Sequence, residues 1–420
     1  MEKIFKFLIF ILFISFIKSA SAQDVLSWQD CLKEAARNHP DLISAQEAVK
    51  ESEADKRITK SGIFPQIDSS LSGSTAESGG ATTDTYTYGV SVTQLLFDGA
   101  KTNADLKAAA ETIKASEHNY RFTSSEVRFR LRSAFIDLLK VQELLKITDD
   151  IYHIRRGNLE LITLRYESGL EHKGALLNAQ ANLAQAEFEI SQAKRDMEVA
   201  QRRLLKEMGR VEFAELRVDG DFDVSDRVIE APDFQTLALT NPYLGRLIAQ
   251  KNAAGFDIKS AYANFLPELS ASAGANKSSA KWPPGDERWN AGLTLSLPLF
   301  EGGLKLAQVE KAQAEYNQAM ENERSAKDDI IVSLQEAWAS LQDAVETVEV
   351  KDKFLRAAEE RSRIAEAQYS LGMIQFDNWT IIEDDLVDAK KALITAQADA
   401  LLTEASWIQA KGETLEHAQK

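Results

Sequence analysis

The sequence predicts a chain of mixed α-helical and β-strand structure, built from two copies of one unit. Three observations support this fold class. Short motifs of the first half return in the second half at a nearly constant spacing, which indicates a duplicated structure. Two regions alternate polar and apolar residues with the period of a β-strand, and two others run for about 60 residues almost without glycine or proline. Each copy should therefore contain one β-hairpin and one long helical hairpin.

Four pairs of motifs carry the repeat. Pro40 and Pro242 lie 202 residues apart, as do Pro65 and Pro267. The later pairs, 203 residues apart, are Leu96-Phe97-Asp98-Gly99 with Leu299-Phe300-Glu301-Gly302, and Tyr166-Glu167-Ser168-Gly169 with Tyr369-Ser370-Leu371-Gly372. Solenoid repeats span roughly 20 to 50 residues. Each copy should therefore form half of one pseudo-symmetric body.

These motifs divide the chain into predicted segments. In chain order they are a signal peptide (1–22), the first unit (23–210, with a β-hairpin at 65–97 and a long helical hairpin at 101–208), a linker (211–235), the second unit (236–410, with a β-hairpin at 267–300 and a helical hairpin at 304–410) and a tail (411–420).

The first 22 residues are typical of a secretory signal. Lys3 and Lys6 provide a basic start, residues 7–17 are apolar, and Ala20-Ser21-Ala22 is a small-residue cleavage site. The alternative is a short membrane anchor, but a spanning helix needs roughly 20 apolar residues. Gln23 follows the cleavage site where a lipoprotein would have cysteine, so no lipid anchor is expected.

Composition excludes several classes of function. The formal net charge of −16 argues against nucleic acid as a partner, and Cys31, the single cysteine, permits neither an internal disulfide nor a cysteine metal cluster. Neither a G-x-S-x-G motif nor a phosphate-binding glycine loop is present, and the five histidines are scattered. His172 lies next to a predicted turn, where a polar loop residue is favoured over a metal ligand. We therefore expect no enzyme, no cofactor and no metal site.

Each unit opens with short helices, which proline and glycine delimit. Residues 26–38 form an amphipathic pattern that ends before Pro40, and residues 41–61 are rich in Ala, Glu and Lys.

The predicted hairpins have one apolar and one polar face. Val90, Val92, Leu293, Leu295 and Leu297 point one way, while Ser91, Thr93, Thr294 and Ser296 point the other. Two interpretations stay open from the pattern: an ordinary half-buried sheet, or transmembrane strands with lipid on one side and a polar lumen on the other. Tyr86, Tyr88, Trp282 and Trp289 near the loop ends suit the aromatic girdle of the second interpretation.

The helical hairpins show a coiled-coil pattern. Leu176, Leu183, Ile190, Met197 and Leu204 are spaced by seven residues, and the interleaved positions are Ala179, Ala186, Ala193 and Ala200. The second unit repeats this spacing with Trp379, Leu386, Leu393, Ala400 and Trp407. Two strands and two paired helices per unit cannot close a core alone, so we expect neighbouring chains to complete the sheet and the helical wall.

Taken together and in this order, the motifs resemble the TolC family of outer-membrane channel proteins. The resemblance covers nearly all of residues 23–409. It rests on the N-P-x-L helix openings, the F-P-Q-I and L-P-E-L strand entries, the L-F-D-G and L-F-E-G strand exits, and the two tyrosine–glycine turns.

The resemblance implies a trimer in which four strands per chain form one twelve-stranded β-barrel in the outer membrane, continued by a long α-helical coiled-coil tunnel in the periplasm. It implies a passive exit duct of a tripartite efflux pump or a type I secretion system. The implied partners are a periplasmic adaptor protein, an inner-membrane transporter of RND or ABC type, and outer-membrane lipid. The alternative from the residues alone is an exported, soluble coiled-coil structural or adaptor protein.

The resemblance also places a gate and an adaptor-docking surface at the turns between the paired helices. The residues at those positions are Tyr166, Gly169, Leu170, Tyr369, Gly372 and Met373. The alternative is that glycine only makes the turn and tyrosine only packs beneath it. Ile374 stands where some members have an arginine that latches the gate, so the locking contacts are not carried over.

Family members often place aspartates beyond this turn, forming an acidic ring at the entrance. Ala175 and Asn378 occupy the usual positions here. The acidic residues nearby are Asp377, Glu383, Asp384 and Asp385. Three copies would bring up to twelve carboxylates around the axis and attract cations. Glu383 and Asp384 are expected to reach water more readily than Asp385, and the alternative is a solvated outer helix face.

Overall fold

The computed structural model describes residues 24–222 and 231–419, so the predicted signal peptide and residues 223–230 of the predicted linker lie outside the described residues. The helices are α1 (Trp28–Asn38), α2 (Pro40–Ser61), α3 (Lys101–Glu167), α4 (Lys173–Glu207), α5 (Phe234–Thr240), α6 (Pro242–Ala263), α7 (Leu304–Ser370) and α8 (Phe376–Ala410). The strands are β1 (Asp24–Leu26), β2 (Gln66–Ser78), β3 (Ala81–Phe97), β4 (Leu216–Val218), β5 (Glu268–Ser279) and β6 (Glu287–Ser296), and a 3-10 helix follows at Leu415–Gln419.

The duplication predicted from the sequence is confirmed by the helix lengths. α2 and α6 each have 22 residues, α3 and α7 each have 67, and α4 and α8 each have 35. The offset of the matched helices is 202 residues for α2 and α6 and 203 residues for the two longer pairs. Each position of these three helices in the first unit therefore has a counterpart in the second.

The proline motif at the start of each unit begins a helix in both copies. His39 and Asn241 are the N-caps of α2 and α6, and their side chains accept hydrogen bonds from the backbone N–H groups of Asp41 and Tyr243. Proline occupies the first position of each helix, where its missing N–H is not needed. α2 thus starts one residue earlier than the sequence predicts.

The helices form an elongated wall. At about 1.5 Å per residue, α3 and α7 are each roughly 100 Å long. Two shorter helices meet end to end beside each of them. The start of α2 meets the end of α4, where His39 lies 3.4 Å from Glu207. The start of α6 meets the end of α8, where the Asn241 side-chain amide donates a hydrogen bond to the Ala410 carbonyl. The order across one chain is α2 with α4, then α3, then α6 with α8, then α7.

The predicted heptad seams are confirmed, and their two halves differ in burial. In α4 the alanine half of the seam is buried, at Ala179, Ala186, Ala193 and Ala200. In the leucine half, Leu176 and Leu183 are only partly buried. Small alanine side chains let α3 and α4 approach closely. In the other half, Leu176 packs against the apolar cluster near the helical turns, and Met197 and Leu204 pack in the core near the middle of α3.

The strands form one antiparallel sheet in the order β2-β3-β5-β6. The two hairpins are joined through β3 and β5, with Val90 opposite Ala275 and Val92 opposite Ala273. β2 and β6 are the outer strands, and each has one unpaired edge in the single chain. Unpaired edges of this length favour pairing with another strand.

Near the middle of α3 the chain ends and the segment between the units pack together. β1 and β4 pair in parallel, with Asp24 opposite Leu216. The buried core here includes Cys31, Leu32, Val127, Leu131, Leu138, Leu204, Leu216 and Leu415. Within 24–222 and 231–419, every helix is too short or too polar to cross a membrane.

Candidate functional site

The two turns that join the paired helices have the same backbone geometry. Gly169 and Gly372 have φ values of 70° and 74°, which lie in the left-handed region that glycine adopts without strain. The N–H of Leu170 donates to the Arg165 carbonyl at 2.8 Å, and the N–H of Met373 donates to the Gln368 carbonyl at 2.8 Å. These bonds close each long helix in the same way, and they define the two tips of the chain: tip 1 (Tyr166–Lys173) and tip 2 (Tyr369–Phe376).

The tyrosines at the two tips differ in their surroundings. Tyr369 is 2% exposed and its ring stacks on Trp379, with centroids 4.6 Å apart and planes 13° from parallel. Tyr166, its counterpart in tip 1, is 38% exposed. Tyr369 therefore packs beneath the turn, which fits both interpretations of the tip residues, while Tyr166 lies on the surface.

Tyr369 also connects the two tips. Its hydroxyl donates a hydrogen bond to the Glu171 carboxylate at 3.2 Å, and the Arg165 guanidinium lies 4.9 Å from the ring centroid. Burial is the main reason that the pKa of Tyr369 rises to about 12; Glu171 adds to the rise and Arg165 opposes it. The hydroxyl therefore stays protonated and able to donate at neutral pH.

The outer surface of the tips is apolar. Leu170 in tip 1 is 68% exposed, and Met373 in tip 2 is 69% exposed. Leu371 beside Met373 is exposed as well. Because large apolar side chains that cluster at the end of a molecule indicate a contact surface, the tips are candidates for binding a partner.

His172 has a structural role in tip 1. It is the N-cap of α4, and its Nδ1 accepts a hydrogen bond from the N–H of Ala175 at 3.1 Å. Among the residues that the structure describes, no group of three or more histidine, cysteine or acidic side chains is arranged to hold a metal ion.

The four candidate acidic residues do not form one set. Asp377 is exposed in the first turn of α8, where the helix dipole favours a negative charge. Glu383 is buried, and its carboxylate accepts a hydrogen bond from the Ser362 hydroxyl. The expectation that Glu383 reaches water is therefore wrong, because α7 covers this side of α8.

The other two carboxylates are exposed and form ion pairs with arginines. Asp384 forms an ion pair with Arg155, which is buried between α3 and α8, and Asp385 lies 2.8 Å from Arg361 on α7. Sequence reasoning did not find these partners, since neither arginine is near the acidic cluster in the chain.

A polar cleft lies beside the Arg155–Asp384 pair. It has a volume of about 330 Å³ and is lined by residues of α3, α4 and α8. Lys391 of α8 donates a hydrogen bond to Glu189 of α4 at 2.7 Å. Burial acts to raise the pKa of Glu189, but hydrogen bonds from Lys391 and Gln185 outweigh it, so the pKa is lowered. Together these ion pairs tie the first unit to the second above the tips.

At the other end of the molecule, the sheet has the two faces that the sequence predicts. Val90, Val92, Leu293 and Leu295 share an exposed apolar face, and a β-bulge after Leu95 turns Phe97 to the same side. The opposite face carries Ser91, Thr93, Ser272, Gly274 and Thr294.

The apolar face has the height of a membrane. Tyr88 and Trp289 lie at its outer end, and Phe97 lies at the end next to the helices. Nine residues separate Tyr88 from Phe97; at about 3.4 Å each and a tilt of about 40°, they give a band about 23 Å tall. Outer-membrane barrels present an apolar band of about 25 Å between aromatic girdles.

The chain is similar to known proteins over nearly its whole length. The model of the outer membrane efflux protein family matches residues 31–210 and 234–413. The outer membrane efflux protein BepC of Brucella suis biovar 1 is 22% identical over 396 residues, covering 91% of this chain and 84% of BepC. The alkaline protease secretion protein AprF of Pseudomonas aeruginosa is 28% identical over 239 residues, covering 54% of this chain and 49% of AprF.

The fold is also that of a solved channel structure. The open state of the MtrE outer membrane channel of Neisseria gonorrhoeae superimposes with a TM-score of 0.80 at 18% identity, covering 96% of this chain and 95% of that chain. Two matched segments that together span most of the sequence decide the family. The chain belongs to the outer membrane efflux protein family, and it is therefore an outer-membrane protein that serves as an exit duct, as the resemblance to TolC-type channels predicts.

Proposed function

We propose that three copies of the chain form one continuous passive duct, with a twelve-stranded barrel in the outer membrane and a helical tunnel in the periplasm. The observation that carries this proposal is the four-stranded sheet, whose apolar face is as tall as a membrane and whose edge strands β2 and β6 are unpaired. Three such sheets, joined edge to edge, give twelve strands with no free edge. The polar face then lines the lumen.

We assign no catalytic activity to the chain. The sequence has no nucleotide-binding motif, so the energy for transport comes from an inner-membrane transporter of RND or ABC type. Similarity to BepC supports an efflux assembly, and similarity to AprF supports a type I secretion assembly, in which the same duct would carry a polypeptide.

The tips are the proposed gate and docking surface for a periplasmic adaptor protein. Leu170 and Met373 are exposed there and supply apolar contact area. The hydrogen bond between Tyr369 and Glu171 holds tip 1 against tip 2 within the chain. Separating the tips requires this bond to break, so the contact favours the closed entrance.

Planar bilayer recording tests the duct. The purified protein should conduct ions without ATP, with small conductance while the tips are closed, and native mass spectrometry in detergent should report three chains. ATP hydrolysis by the pure protein, or a stable monomer without conductance, would contradict the proposal.

Docking at the tips is tested separately by placing charge on the apolar surface. Leu170→Glu with Met373→Glu should abolish cross-linking to the adaptor in cells, while native mass spectrometry in detergent should still report three chains. Leu177→Glu is the matched control, since Leu177 is an exposed leucine on α4 beyond the tip. If the tip variant still cross-links as well as the control, the adaptor binds elsewhere.

A further inference from the structure

The two outer edges of the helical wall carry exposed apolar side chains. On α7 these are Val332, Val350 and Phe354, and on α4 they are Phe188 and Val199. α7 lies at one edge of the chain, and α2 with α4 lies at the other. A soluble helical wall would be polar along both edges, so these edges are surfaces that another helix covers.

The internal repeat specifies what covers them. Within one chain, α3 packs against α6 and α8. The counterpart of α3 is α7, and the counterparts of α6 and α8 are α2 and α4. The same packing, applied once more, places α7 of one copy on α2 and α4 of a second copy. It also fixes the register, because every contact of α3 predicts one contact of α7.

The lower part of the wall shows the expected complementarity. Ile151 of α3 is 6% exposed and lines a small cavity together with Leu386 and Val387 of α8. Its counterpart on α7 is Phe354, which is 64% exposed in the single chain. The counterparts of Leu386 and Val387 are Leu183 and Ala184 of α4, which the second copy would bring over Phe354.

At this height one interface has an acidic residue where the other has a basic one. Asp150 of α3 and Lys390 of α8 line the same cavity within the chain. Their counterparts are Lys353 of α7 and Glu187 of α4, so the acid and the base change places and the two residues still carry opposite charges. In the described chain, neither Lys353 nor Glu187 has an ion-pair partner.

The middle of the wall gives a second, independent match. Ser125 of α3 and Gln409 of α8 line a partly open cavity of about 170 Å³, and the Ser125 hydroxyl lies 3.5 Å from the Gln409 carbonyl oxygen. Their counterparts are Asp328 of α7 and Lys206 of α4.

Lys206 lies in an open groove of about 500 Å³ on α4, together with Arg202 and Phe213. The groove is lined by three basic residues, by Glu198 and by the apolar Val199 and Phe213. Within the chain Lys206 also lies 2.8 Å from the Glu207 carboxylate, so it can bridge Glu207 and an acid of a second copy. Asp328 and Val332 of a second copy supply an acid and an apolar side chain at the matching positions. The groove is thus half of a closed site whose other half is on α7.

The upper part of the wall gives a third match. Lys107 of α3 and Lys259 of α6 both lie over the Phe256 ring, at 6.0 and 4.8 Å from its centroid. Their counterparts are Glu310 of α7 and Arg57 of α2. Two like charges within one chain are therefore replaced by opposite charges between copies.

We propose that the chain assembles by packing α7 of one copy along α2 and α4 of the next in the register of the internal repeat, with the ion pairs Glu310–Arg57, Asp328–Lys206 and Lys353–Glu187. This inference rests on the proposed trimer and specifies its contacts. One edge of each copy binds a different edge of the next, so the contact is head-to-tail, and in the proposed trimer three such contacts close a ring. The pairs favour this register, because a shift of one heptad would separate all three.

The internal repeat also predicts how the sheets of neighbouring copies pair. Since β3 pairs with β5, β6 of one copy should pair with β2 of the next. Val92 opposite Ala273 then predicts Leu295 opposite Leu71, and both leucines belong to the exposed apolar face. The same packing of one copy on the next therefore covers both the unpaired strand edges and the exposed helix edges.

Cysteine cross-linking tests the register. Glu187→Cys with Lys353→Cys, treated with a short thiol-specific cross-linker, should give covalent dimers and trimers on a denaturing gel. Glu187→Cys with Glu346→Cys is the matched control, because Glu346 is exposed on α7 one heptad away. The control should stay monomeric on the gel.

Charge reversal provides a second measurement. Lys353→Glu should weaken the trimer in detergent, and Lys353→Glu with Glu187→Lys should restore it. A trimer that cross-links equally in both cysteine pairs, or in neither, would overturn the register and leave the proposed duct intact. A wild-type chain that is monomeric in native mass spectrometry would overturn both proposals.

Discussion

The Tyr369 hydroxyl donates a hydrogen bond to the Glu171 carboxylate, which joins the last residues of α7 to the turn that follows α3. The bond crosses between the two units of the chain, and its geometry is fixed by the stack of Tyr369 on Trp379. Tyr369 and Tyr166 occupy equivalent positions in the repeat, yet only Tyr369 is buried. The two tips therefore have the same backbone geometry and different side-chain packing.

The first prediction concerns this bond. Tyr369→Phe keeps the aromatic stack and removes the hydroxyl, so the tips lose one hydrogen bond worth about 1 kcal/mol. If the closed entrance depends on it, openings in planar bilayer recordings should become about five times more frequent, which is the population shift that this energy gives.

Tyr166→Phe is the control for that experiment. It makes the same chemical change at the equivalent position of tip 1, where the side chain is exposed. Equal effects of the two variants, or no effect of Tyr369→Phe, would show that the hydrogen bond does not hold the entrance closed.

The second prediction concerns Cys31, which lies in the core beside α3. The thiol is fully buried, and burial raises its pKa to about 12, with smaller contributions from Glu34 and Asp30. Because the thiolate is the reactive form, a maleimide should label native protein at least about 1,000-fold more slowly than unfolded protein. Mass spectrometry at intervals after mixing would measure this ratio.

An engineered cysteine at exposed position 53 of α2, Glu53→Cys, should be labelled rapidly in the folded protein. Fast labelling of Cys31 itself would mean that the core around α1 opens often. The same result would require Cys31→Ala as the background for the cross-linking experiments.

The third prediction concerns acid and the C-terminal 3-10 helix. The Glu416 carboxylate accepts hydrogen bonds from the Tyr120 and Ser124 hydroxyls, both at 2.8 Å. Burial acts to raise the pKa of Glu416, but these hydrogen bonds and others outweigh it, so the pKa is below its ordinary value of 4.5. A carboxyl whose pKa is lowered by folding stabilises the folded state above its unfolded pKa, and this contribution is lost as the pH falls through the lowered value.

Acid should therefore release the segment Leu415–Gln419 from α3. Hydrogen exchange of the C-terminal peptide, followed by mass spectrometry, should accelerate as the pH falls below about 4.5, after correction for intrinsic exchange. Glu416→Gln should remove most of this pH dependence, while Glu53→Gln, at an exposed position, should not change it. A pH-independent exchange rate in the wild type would contradict the role of Glu416.

Most of the fold could be predicted from the sequence because its signals are local or repeated. Heptad spacing marks the paired helices, alternation marks the strands, and the motifs at Pro40 and Pro242 mark the helix starts. The short elements were missed for a physical reason. β1 and β4 have three residues each and pair across nearly 200 positions, so neither shows a period of its own.

The candidate site could be predicted only in part. Glycine at the tips follows from the turn, since positive φ selects it. The burial of Glu383 and the pairing of Asp384 with Arg155 depend on which helix packs against α8, and a heptad pattern does not contain that information. Tyr369 and Tyr166 are indistinguishable in the motif, and only packing separates them.

The last prediction concerns the acidic entrance. Of its four candidate residues, fewer carry an exposed and unpaired charge in the structure than the sequence suggests. Glu383 is buried, and the exposed Asp384 and Asp385 form ion pairs with arginines, so their charges are partly compensated. Asp377 is exposed near tip 2 and has no ion-pair partner within the described chain. In a trimer, three copies of Asp377 would surround one axis and attract cations.

Asp377→Asn should therefore lower the cation selectivity and weaken block by trivalent cations in bilayer recordings. Asp385→Asn removes the same charge from a carboxylate that Arg361 already holds at 2.8 Å, so its effect should be smaller. Glu383→Gln should leave selectivity unchanged, because the side chain does not reach the solvent. If Asp377→Asn has no effect on selectivity, Asp377 lies on the outer face of the tunnel. If Asp385→Asn has the larger effect, the ion pair between Arg361 and Asp385 opens in the assembled trimer. The ring of negative charge then lies about two turns further along α8 than Asp377.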